Sequence, residues 1–506
     1  MDGGWSELHP WRIDRRGAEP LFRQIYAEVR GAIAARTLRP GERLPSTREL
    51  AARLGVSRAS AVAAYEQLAA EGWIDGRVGS GAYVSVDLPE PFPQAEPAAA
   101  APARYAIDPE NLFAPPKAGP DLGEPPFTMG LALMDARSQD VWRRLTHRSV
   151  RRLSPAHFGY SDPRGMPELR SGLADYLRGA RGLRCEAGQV IVTAGTQHAI
   201  DFGIRLLLKP GDEVWVEDPS YALTFKALAA AGLKSVPVPV DEQGLIVAEG
   251  LRRAPRARAV VVTPSHQYPT GAVLSMARRT ELLSWAREAG AWILEDDYDS
   301  ELRFRGRPLA ALQGLDEAGR VIYVGTLNKS LFPGLRIGYL VAPWSLLDRF
   351  VDARHIADRQ PPTLTQEVLA GFIGEGHLAA HFRRLRQLYR RAQEAVIGTL
   401  APAVEAVGGR IPLPDQGNHL VAWLPDGFDD VGLERAARAE GVVSRALSRL
   451  YLEAPPRPGL MLGFTGFRPE QLRAPAERLA ALIAASGVAP RSFGSSPHAG
   501  PGRGGT

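Results

Sequence analysis

The sequence predicts a two-domain fold, in which a small winged helix-turn-helix domain precedes a larger α/β domain built on an open sheet. Residues 12–87 contain short amphipathic segments separated by turn residues, whereas five apolar runs after residue 127 each end in a polar turn. Between them, residues 88–126 are rich in Pro and Ala without periodicity, which predicts an extended linker. We therefore assign residues 127–487 to the larger domain and the Gly-, Ser- and Pro-rich residues 488–506 to a disordered tail.

Length and composition are typical of a globular protein without disulfides. The chain has 506 residues, of which 45% are hydrophobic, and a formal charge of +5, which permits nucleic acid as a partner. Its single cysteine, Cys185, excludes an intrachain disulfide and fits a reducing cytoplasm. The N-terminus lacks a signal-peptide pattern, and no apolar run is long enough to span a bilayer. We expect a cytoplasmic protein that does not enter a membrane.

The small domain begins with a regular amphipathic pattern. Apolar residues recur every four positions from Leu21 to Ile33 and predict a first helix. Ser46 and Glu49 have the spacing of a capping box that opens a second helix, and Ser57 is the predicted N-cap of a third. Two short helices joined by a tight turn that contains glycine form a helix-turn-helix.

The third helix is the predicted recognition helix. Its apolar face, from Val62 to Leu68, is expected to pack on the domain core. Three residues then remain near its exposed N-terminal end, namely Arg58, Ser60 and Ala61. A recognition helix presents these positions to base edges and phosphates.

A predicted two-stranded hairpin follows the third helix. Residues 73–75 and 82–84 flank a turn rich in glycine, and glycine lets the backbone approach a phosphate chain closely. The hairpin completes a winged helix-turn-helix. On topology alone, a small helical protein-interaction module remains the alternative.

The small domain resembles the DNA-binding domain of the GntR family. The resemblance rests on Leu44–Ala51, on Leu54–Arg58 and on the glycines of the hairpin. It implies that the following residues contact DNA or shape the wing: Thr47, Arg48, Ser57, Arg58, Ser60, Arg77, Gly79 and Gly81. At Ser60 the family usually has Thr, so a hydroxyl is kept.

The large domain shows apolar runs of the type found in buried parallel strands. Helical stretches lie between them, which predicts an open α/β sheet, and in such sheets ligands bind beyond the carboxyl ends of the strands. The runs cover residues 190–192, 213–216, 259–262, 291–294 and 321–324. The polar turns that follow them contain residues 195–197, 218–221, 263–266, 295–298 and 326–329.

Lys329 is the most informative residue of these turns. It is one of five lysines against 56 arginines, and a lysine can lose its proton and act as a Schiff-base nucleophile, whereas an arginine cannot. A deprotonable lysine, a carboxylate, an aromatic ring and a helix start rich in small hydroxyl residues together fit pyridoxal 5′-phosphate. The sequence predicts no metal site.

Residues from about Phe127 to Ile483 resemble the fold-type I aminotransferases. The resemblance implies that Lys329 forms the Schiff base with pyridoxal phosphate, Asp296 faces the ring nitrogen, Tyr298 reaches the ring hydroxyl and Tyr221 stacks on the ring. The residues implied to hold the phosphate are Gly195, Thr196, Gln197, Thr326 and Arg336, with Tyr160 supplied by the other subunit of a dimer.

One departure from the aminotransferase pattern concerns the ring hydroxyl. The usual Asn-Pro-Thr-Gly turn reads Tyr268-Pro269-Thr270-Gly271, so the usual Asn contact is missing. We expect Tyr298 or His266 to replace part of this contact to the ring hydroxyl.

Nearly the whole chain resembles the MocR subfamily of GntR regulators. Residues 263–267, 295–301 and 333–339 carry this resemblance, with Asn328 as a departure where Ser commonly precedes the lysine. It implies a homodimeric transcriptional regulator that binds a double-stranded DNA operator with paired half-sites. Its aminotransferase-like domain would sense pyridoxal phosphate, or a small amine or amino acid effector, through Lys329.

The alternative is an active aminotransferase that carries a DNA-binding domain. An arginine for the substrate carboxylate would favour turnover, but the segment Leu460–Phe464, where aminotransferases usually supply one, has none. Arg449 is the candidate for an effector carboxylate, with Arg445 close by in the sequence. The arrangement favours sensing over turnover.

Overall fold

The computed structural model describes residues 13–15, 17–77, 81–88 and 125–486. The chain divides into two compact units, Met1–Asn111 and Leu112–Thr506. Most of the predicted linker, the predicted tail and Gly79 lie outside the described residues. Across the described ranges, none of the helices combines the length and apolar character needed to cross a bilayer.

The first unit is a three-helix domain with a β-hairpin. Its elements are α1 (Leu21–Ala34), α2 (Thr47–Leu54), α3 (Arg58–Ala70), β1 (Ile74–Arg77) and β2 (Gly81–Val84). The two strands pair antiparallel, with Ile74 opposite Val84. Ile25, Val29 and Ile33 are fully buried and form the core with residues of α2 and α3, because their helical spacing places them on one face.

The predicted caps of the small unit form, with one difference. The Ser57 hydroxyl accepts a hydrogen bond from the Ser60 backbone N–H at 3.1 Å, and Ser46 accepts from Glu49 at 3.2 Å. The capping box at Ser46 is only half formed, because the Glu49 carboxylate accepts instead from Arg53 at 2.9 Å.

Ala61 is a correction to the predicted recognition surface. It is fully buried, whereas the sequence assigned it to the exposed N-terminal end of α3. Val62, expected in the core, is only half-buried. One position along a helix turns a side chain by about 100°, so Ala61 faces the core and Val62 lies at its edge.

The second unit is an α/β domain with an eight-stranded sheet and a smaller three-stranded sheet. Its strands are β3 (Val190–Thr193), β4 (Glu213–Asp218), β5 (Lys234–Asp241), β6 (Gly244–Leu245), β7 (Ala259–Val262), β8 (Trp292–Asp297), β9 (Val321–Thr326), β10 (Gly338–Val341), β11 (His419–Trp423), β12 (Arg445–Ala446) and β13 (Gly459–Gly463). Its helices are α4 (Ala136–Arg151), α5 (Pro167–Arg181), α6 (Thr196–Leu207), α7 (Ala222–Ala230), α8 (Val247–Arg253), α9 (Met276–Ala289), α10 (Leu312–Leu315), α11 (Leu347–Asp358), α12 (Thr363–Gly374), α13 (His377–Ala406), α14 (Asp430–Ala439) and α15 (Pro469–Ser486).

The five predicted runs form β3, β4, β7, β8 and β9, which all run in the same direction, and the large sheet is mixed because β6 and β10, which were not predicted, run against them. Its order is β3-β10-β9-β8-β7-β4-β5-β6, and β10 pairs antiparallel with both β3 and β9. The neighbours β9, β8, β7, β4 and β5 are parallel, so their carboxyl ends lie along one edge. The small sheet, in the order β11-β13-β12, packs its apolar residues with α13, α14 and α15 in a second core.

Candidate functional site

A cavity of about 270 Å³ lies at the carboxyl ends of the parallel strands. It is the place where an open α/β sheet binds its ligand. The residues from the sequence prediction that line it are Gly195, Thr196, Gln197, Tyr221, Asp296, Tyr298, Thr326, Lys329 and Arg336. The fold therefore brings together the expected amine, carboxylate, aromatic ring and helix start.

Lys329 lies in the loop between β9 and β10 with its amine in a confined space. A Cβ added at Gly130, which has φ +76°, would lie 2.3 Å from Lys329 Nζ, so a side chain at this position would push the amine aside. Burial lowers the pKa of Lys329, while the charges of Asp299 and Asp296 act in the opposite direction. The lowered pKa favours the neutral, nucleophilic form of the amine.

Asp296, near the end of β8, offers a buried oxygen that lacks a partner. Its Oδ1 makes no hydrogen bond to any of the described residues. Burial, followed by the charges of Asp297 and Asp299, raises the pKa of Asp296 to about 8. A cationic N–H group in the cavity would satisfy this oxygen and hold the carboxyl ionised.

The N-terminus of α6 forms one end of the cavity. Gly195, with φ +126°, precedes the helix without a capping side chain, and the first backbone N–H groups of a helix have no partner within the helix. Arg336 Nη2 lies 3.7 Å from the position of a Cβ built on Gly195, and no carboxylate of the described chain pairs with this arginine. Helix N–H groups beside an unpaired guanidinium suit a phosphate.

The hydroxyl of Thr326 is already engaged at this end of the cavity. It donates to the Ile337 carbonyl at 3.3 Å and accepts from the backbone N–H of Asn328 at 3.1 Å. Asn328 in turn accepts from the backbone N–H of Ile337 at 3.0 Å. These bonds hold the loop that carries Lys329 against the start of β10.

Tyr221 and Tyr268 form an aromatic side of the cavity, and an arginine joins them. The two rings meet edge to face, with centroids 5.3 Å apart, and Arg445 donates to the Tyr268 hydroxyl at 2.9 Å. Arg445 lines the cavity, whereas Arg449 does not and has Glu434 3.6 Å from its guanidinium. The structure therefore favours Arg445 over the predicted Arg449 as the cation that meets a ligand.

Two other predicted residues lie away from the cavity wall of this chain. Tyr160 is 81% exposed, with the Arg359 guanidinium 4.8 Å from its ring centroid. His266 is buried behind Tyr298, and its Nδ1 lies 3.1 Å from the Tyr298 hydroxyl.

Glu217 and Asn418 line the cavity, but they were not predicted as site residues from the sequence. Glu217 is buried at the end of β4 and accepts hydrogen bonds from the backbone N–H and hydroxyl of Thr263 at 3.1 and 2.5 Å. Burial raises the pKa of Glu217 to about 7. The position of Glu217 directly after the apolar run 213–216 could have identified it as a site residue. Asn418 precedes β11, and no sequence pattern marks it in the same way.

In the small unit, most of the predicted DNA contacts lie on the surface of α2 and α3. Arg48, Ser57 and Arg58 are exposed, and Thr47 is half-buried. The Ser60 hydroxyl lies 2.9 Å from the Ser57 hydroxyl. Gly81, with φ +104°, begins β2, and Arg77 ends β1.

Comparison with known proteins finds a matching family for each of the two units. Residues 21–84 match the family described as bacterial regulatory proteins of the gntR family, and residues 131–452 match aminotransferase class I and II. The chain is 39% identical to the probable rhizopine catabolism regulatory protein MocR of Rhizobium meliloti, over 91% of this chain and 93% of that protein. It is 33% identical to the pyridoxine biosynthesis transcriptional regulator PdxR of Corynebacterium glutamicum, over 89% and 93%.

A solved structure extends the comparison to a ligand complex. The α-aminoadipate aminotransferase LysN of Thermus thermophilus, complexed with N-(5′-phosphopyridoxyl)-L-leucine, is 27% identical and has a TM-score of 0.65. The match covers 71% of this chain and 92% of LysN.

Proposed function

Because the chain belongs to the MocR subfamily of GntR-family transcriptional regulators, we propose that its aminotransferase-like domain binds pyridoxal 5′-phosphate and senses an amino compound. The protein is a DNA-binding regulator of transcription. The observation that carries the sensing proposal is that the Lys329 amine lies in the same cavity as an Asp296 oxygen that has no hydrogen-bond partner among the described residues.

The cavity residues fit the three chemical groups of pyridoxal phosphate. When bound, this cofactor supplies an aldehyde that reacts reversibly with primary amines and a ring that withdraws electrons. Lys329 would hold the aldehyde carbon, and Asp296 would accept from the ring nitrogen. The backbone N–H groups at Thr196 and Gln197, with Arg336, would hold the phosphate.

We propose that the effector carries a carboxylate as well as an amine. Arg445 presents a cation to the cavity beside Tyr268, at its aromatic side. The effector amine would compete with Lys329 for the cofactor aldehyde, and a carboxylate on the same compound would pair with Arg445. An effector shifts operator affinity only to the extent that it binds one conformation of the protein better than another.

We further propose a homodimer on an operator with paired half-sites. The highly exposed ring of Tyr160, outside the cavity of its own chain, supports a role at the cofactor phosphate of the partner subunit. A dimer carries two recognition helices, and phosphate contacts by both would make binding fall steeply as salt rises.

Arg445→Ala tests the sensing proposal, with Arg449→Ala as its matched control. With pyridoxal phosphate bound, operator affinity is titrated with amino acids and with amines that lack a carboxylate. We expect the amino acid concentration needed for half of the change to rise about 10- to 100-fold in Arg445→Ala, since a charged hydrogen bond contributes roughly 1.5–3 kcal/mol. Arg449→Ala should respond as wild type does.

Two outcomes of this titration would contradict the proposal. Equal responses of the two variants would remove Arg445 from the effector site. Sustained transfer of amino groups to a 2-oxo acid, without any change in operator affinity, would favour the active aminotransferase.

Arg58→Ala tests the recognition helix. Arg58 is exposed at the first position of α3, so its loss should weaken operator binding by about 1–3 kcal/mol if it contacts a base. Arg205→Ala, a surface arginine of the large unit paired with Asp201, is the control and should bind as wild type does. Fluorescence anisotropy with labelled operator measures both, and unchanged affinity of Arg58→Ala would exclude Arg58 as a base reader.

A further inference from the structure

We infer that Asp299 and His266 fix the orientation of the Tyr298 hydroxyl, so that Tyr298 acts as a hydrogen-bond donor toward the cavity. The inference rests on the proposed function in one respect, because the acceptor it implies is the ring oxygen of pyridoxal phosphate. We call Asp299, His266 and Tyr298 the buried triad.

The buried triad is a continuous chain of short contacts. His266 is 2% exposed, and its Nδ1 lies 3.0 Å from Asp299 Oδ2 and 3.1 Å from the Tyr298 hydroxyl oxygen. The backbone N–H of Asn418 donates to the same Asp299 oxygen at 3.1 Å. Asp299 is therefore held in place from the side of β11, and the imidazole is held by Asp299.

The surroundings of the second ring nitrogen assign the tautomer of His266. Its Nε2 is buried and has no hydrogen-bond partner among the described residues, and a Cβ at Gly417 would lie 2.5 Å from it. A proton on this nitrogen would be a buried donor without an acceptor, which folded proteins rarely tolerate. The network therefore places the single ring proton on Nδ1, where Asp299 and Tyr298 both offer oxygen atoms.

The proton on Nδ1 decides what the Tyr298 hydroxyl can do. Because a protonated Nδ1 has no lone pair to accept a hydrogen bond, the Tyr298 hydrogen cannot point at that nitrogen and turns toward the cavity that Tyr298 lines. Burial raises the pKa of Tyr298 well above its ordinary value, so the hydroxyl keeps this hydrogen. The triad thus supplies the donor that the missing Asn, replaced by Tyr268, would otherwise provide.

Other titratable groups surround the buried triad, and one of them, Glu217, contributes negative charge near Tyr298. Asp296 contributes negative charge near Tyr298, and the Tyr268 ring lies 6.2 Å from the Tyr298 ring. Lys329, the nearby cation, interacts with both Asp299 and Asp296. The His419 ring lies 4.9 Å from that of His266, and burial lowers the pKa of His419 to about 4, so it brings no positive charge.

The same side chains could instead be considered as metal ligands. Ligand atoms of His266, Asp299 and His419 lie within 4.8 Å of one another. Both His419 nitrogens, however, already meet oxygen atoms, those of the Asn418 side chain at 3.0 Å and of the Pro269 carbonyl at 2.9 Å. This engagement favours the hydrogen-bonded arrangement.

The test compares His266→Leu with His266→Asn in the full chain loaded with pyridoxal phosphate. The Asn amide can place an N–H where Nδ1 lies, whereas Leu cannot donate. A hydrogen bond to the ring oxygen stabilises the deprotonated form of the bound cofactor, so its loss should raise the pH midpoint of the visible absorbance change. We expect an upward shift of about one pH unit in His266→Leu and in Tyr298→Phe, and a smaller one in His266→Asn.

The outcomes separate this inference from the proposed function. A wild-type protein without any visible band would contradict cofactor binding, whereas a normal band with the same midpoint in wild type and His266→Leu would overturn the role of the triad. A midpoint that moves on addition of a chelator would favour the metal arrangement and also overturn it. Nitrogen NMR of the cofactor-free wild type with labelled histidine determines the tautomer of His266 independently. A proton on Nε2 would refute the assignment to Nδ1 and with it the role of the triad.

Discussion

Lys329→Ala is expected to abolish covalent attachment of pyridoxal phosphate and to weaken its binding by about two orders of magnitude, which corresponds to roughly 3 kcal/mol. The reason is that Lys329 supplies the amine in the cavity, with its pKa lowered by burial. Borohydride treatment of the loaded protein, followed by mass spectrometry of its peptides, should find the cofactor on Lys329 in wild type and on no lysine in the variant.

Lys234→Ala is the matched control for this experiment. Lys234 is an exposed lysine at the start of β5, so the variant removes an amine of the same kind without touching the cavity. It should retain both the attached cofactor and the effector response of operator binding. Attachment that persists in Lys329→Ala would assign the reactive amine to another lysine.

Asp296→Asn is expected to change two properties in opposite directions. It should weaken pyridoxal phosphate binding about 10- to 100-fold, because the neutral amide cannot form the charge-assisted hydrogen bond to a cationic ring nitrogen. It should also stabilise the cofactor-free protein, because the wild-type carboxyl is buried with an oxygen that has no partner among the described residues.

The stability effect depends on pH in a defined way. Burial raises the pKa of Asp296 from 3.8 to about 8, so between these values the folded chain binds a proton that the unfolded chain has lost. Wild-type stability therefore falls as pH rises through this window, and the cost is fully present above it. Thermal unfolding of the cofactor-free proteins at pH 5 and pH 9 should show a larger advantage of Asp296→Asn at the higher pH.

A surface carboxylate serves as control for Asp296. Asp201→Asn removes a partly exposed partner of Arg205 and should change neither cofactor affinity nor the pH dependence of unfolding. If Asp296→Asn and wild type unfold alike at both pH values, ionisation of the buried Asp296 carboxyl does not destabilise the folded protein, and the prediction is wrong.

The sequence placed Lys329, Asp296 and Tyr221 at one sheet edge because buried strands are readable as apolar runs that stop at polar turns. All three line the cavity, and their contacts with a cofactor stay predictions. The direction of a strand is not readable in this way. The run Gly338–Val341 is as apolar as its neighbours but lies antiparallel to them, since its direction depends on which strands it meets.

The sequence also could not predict which arginine near the C-terminal sheet faces the cavity. The sequence predicted Arg449 as the candidate, with Arg445 close by, yet only Arg445 lies on a strand, the two-residue β12. Its pairing with Met461 of β13 sets its position, and Met461 is far along the chain from it. The facing of a helix residue is equally hard to read from sequence. Ala61 was assigned to the exposed end of α3, but it is buried in the core.

The division of the cavity wall between two sheets has a consequence for signalling. Lys329 and Arg336 both lie in the connection from β9 to β10 of the large sheet, so they are on the same wall of the cavity. Arg445 lies on β12 of the small sheet, and Asn418 directly precedes β11 of the same sheet. A ligand that contacts both walls would link the small sheet to the large one, so the protein with such a ligand would hold the two sheets together more firmly than the protein without it.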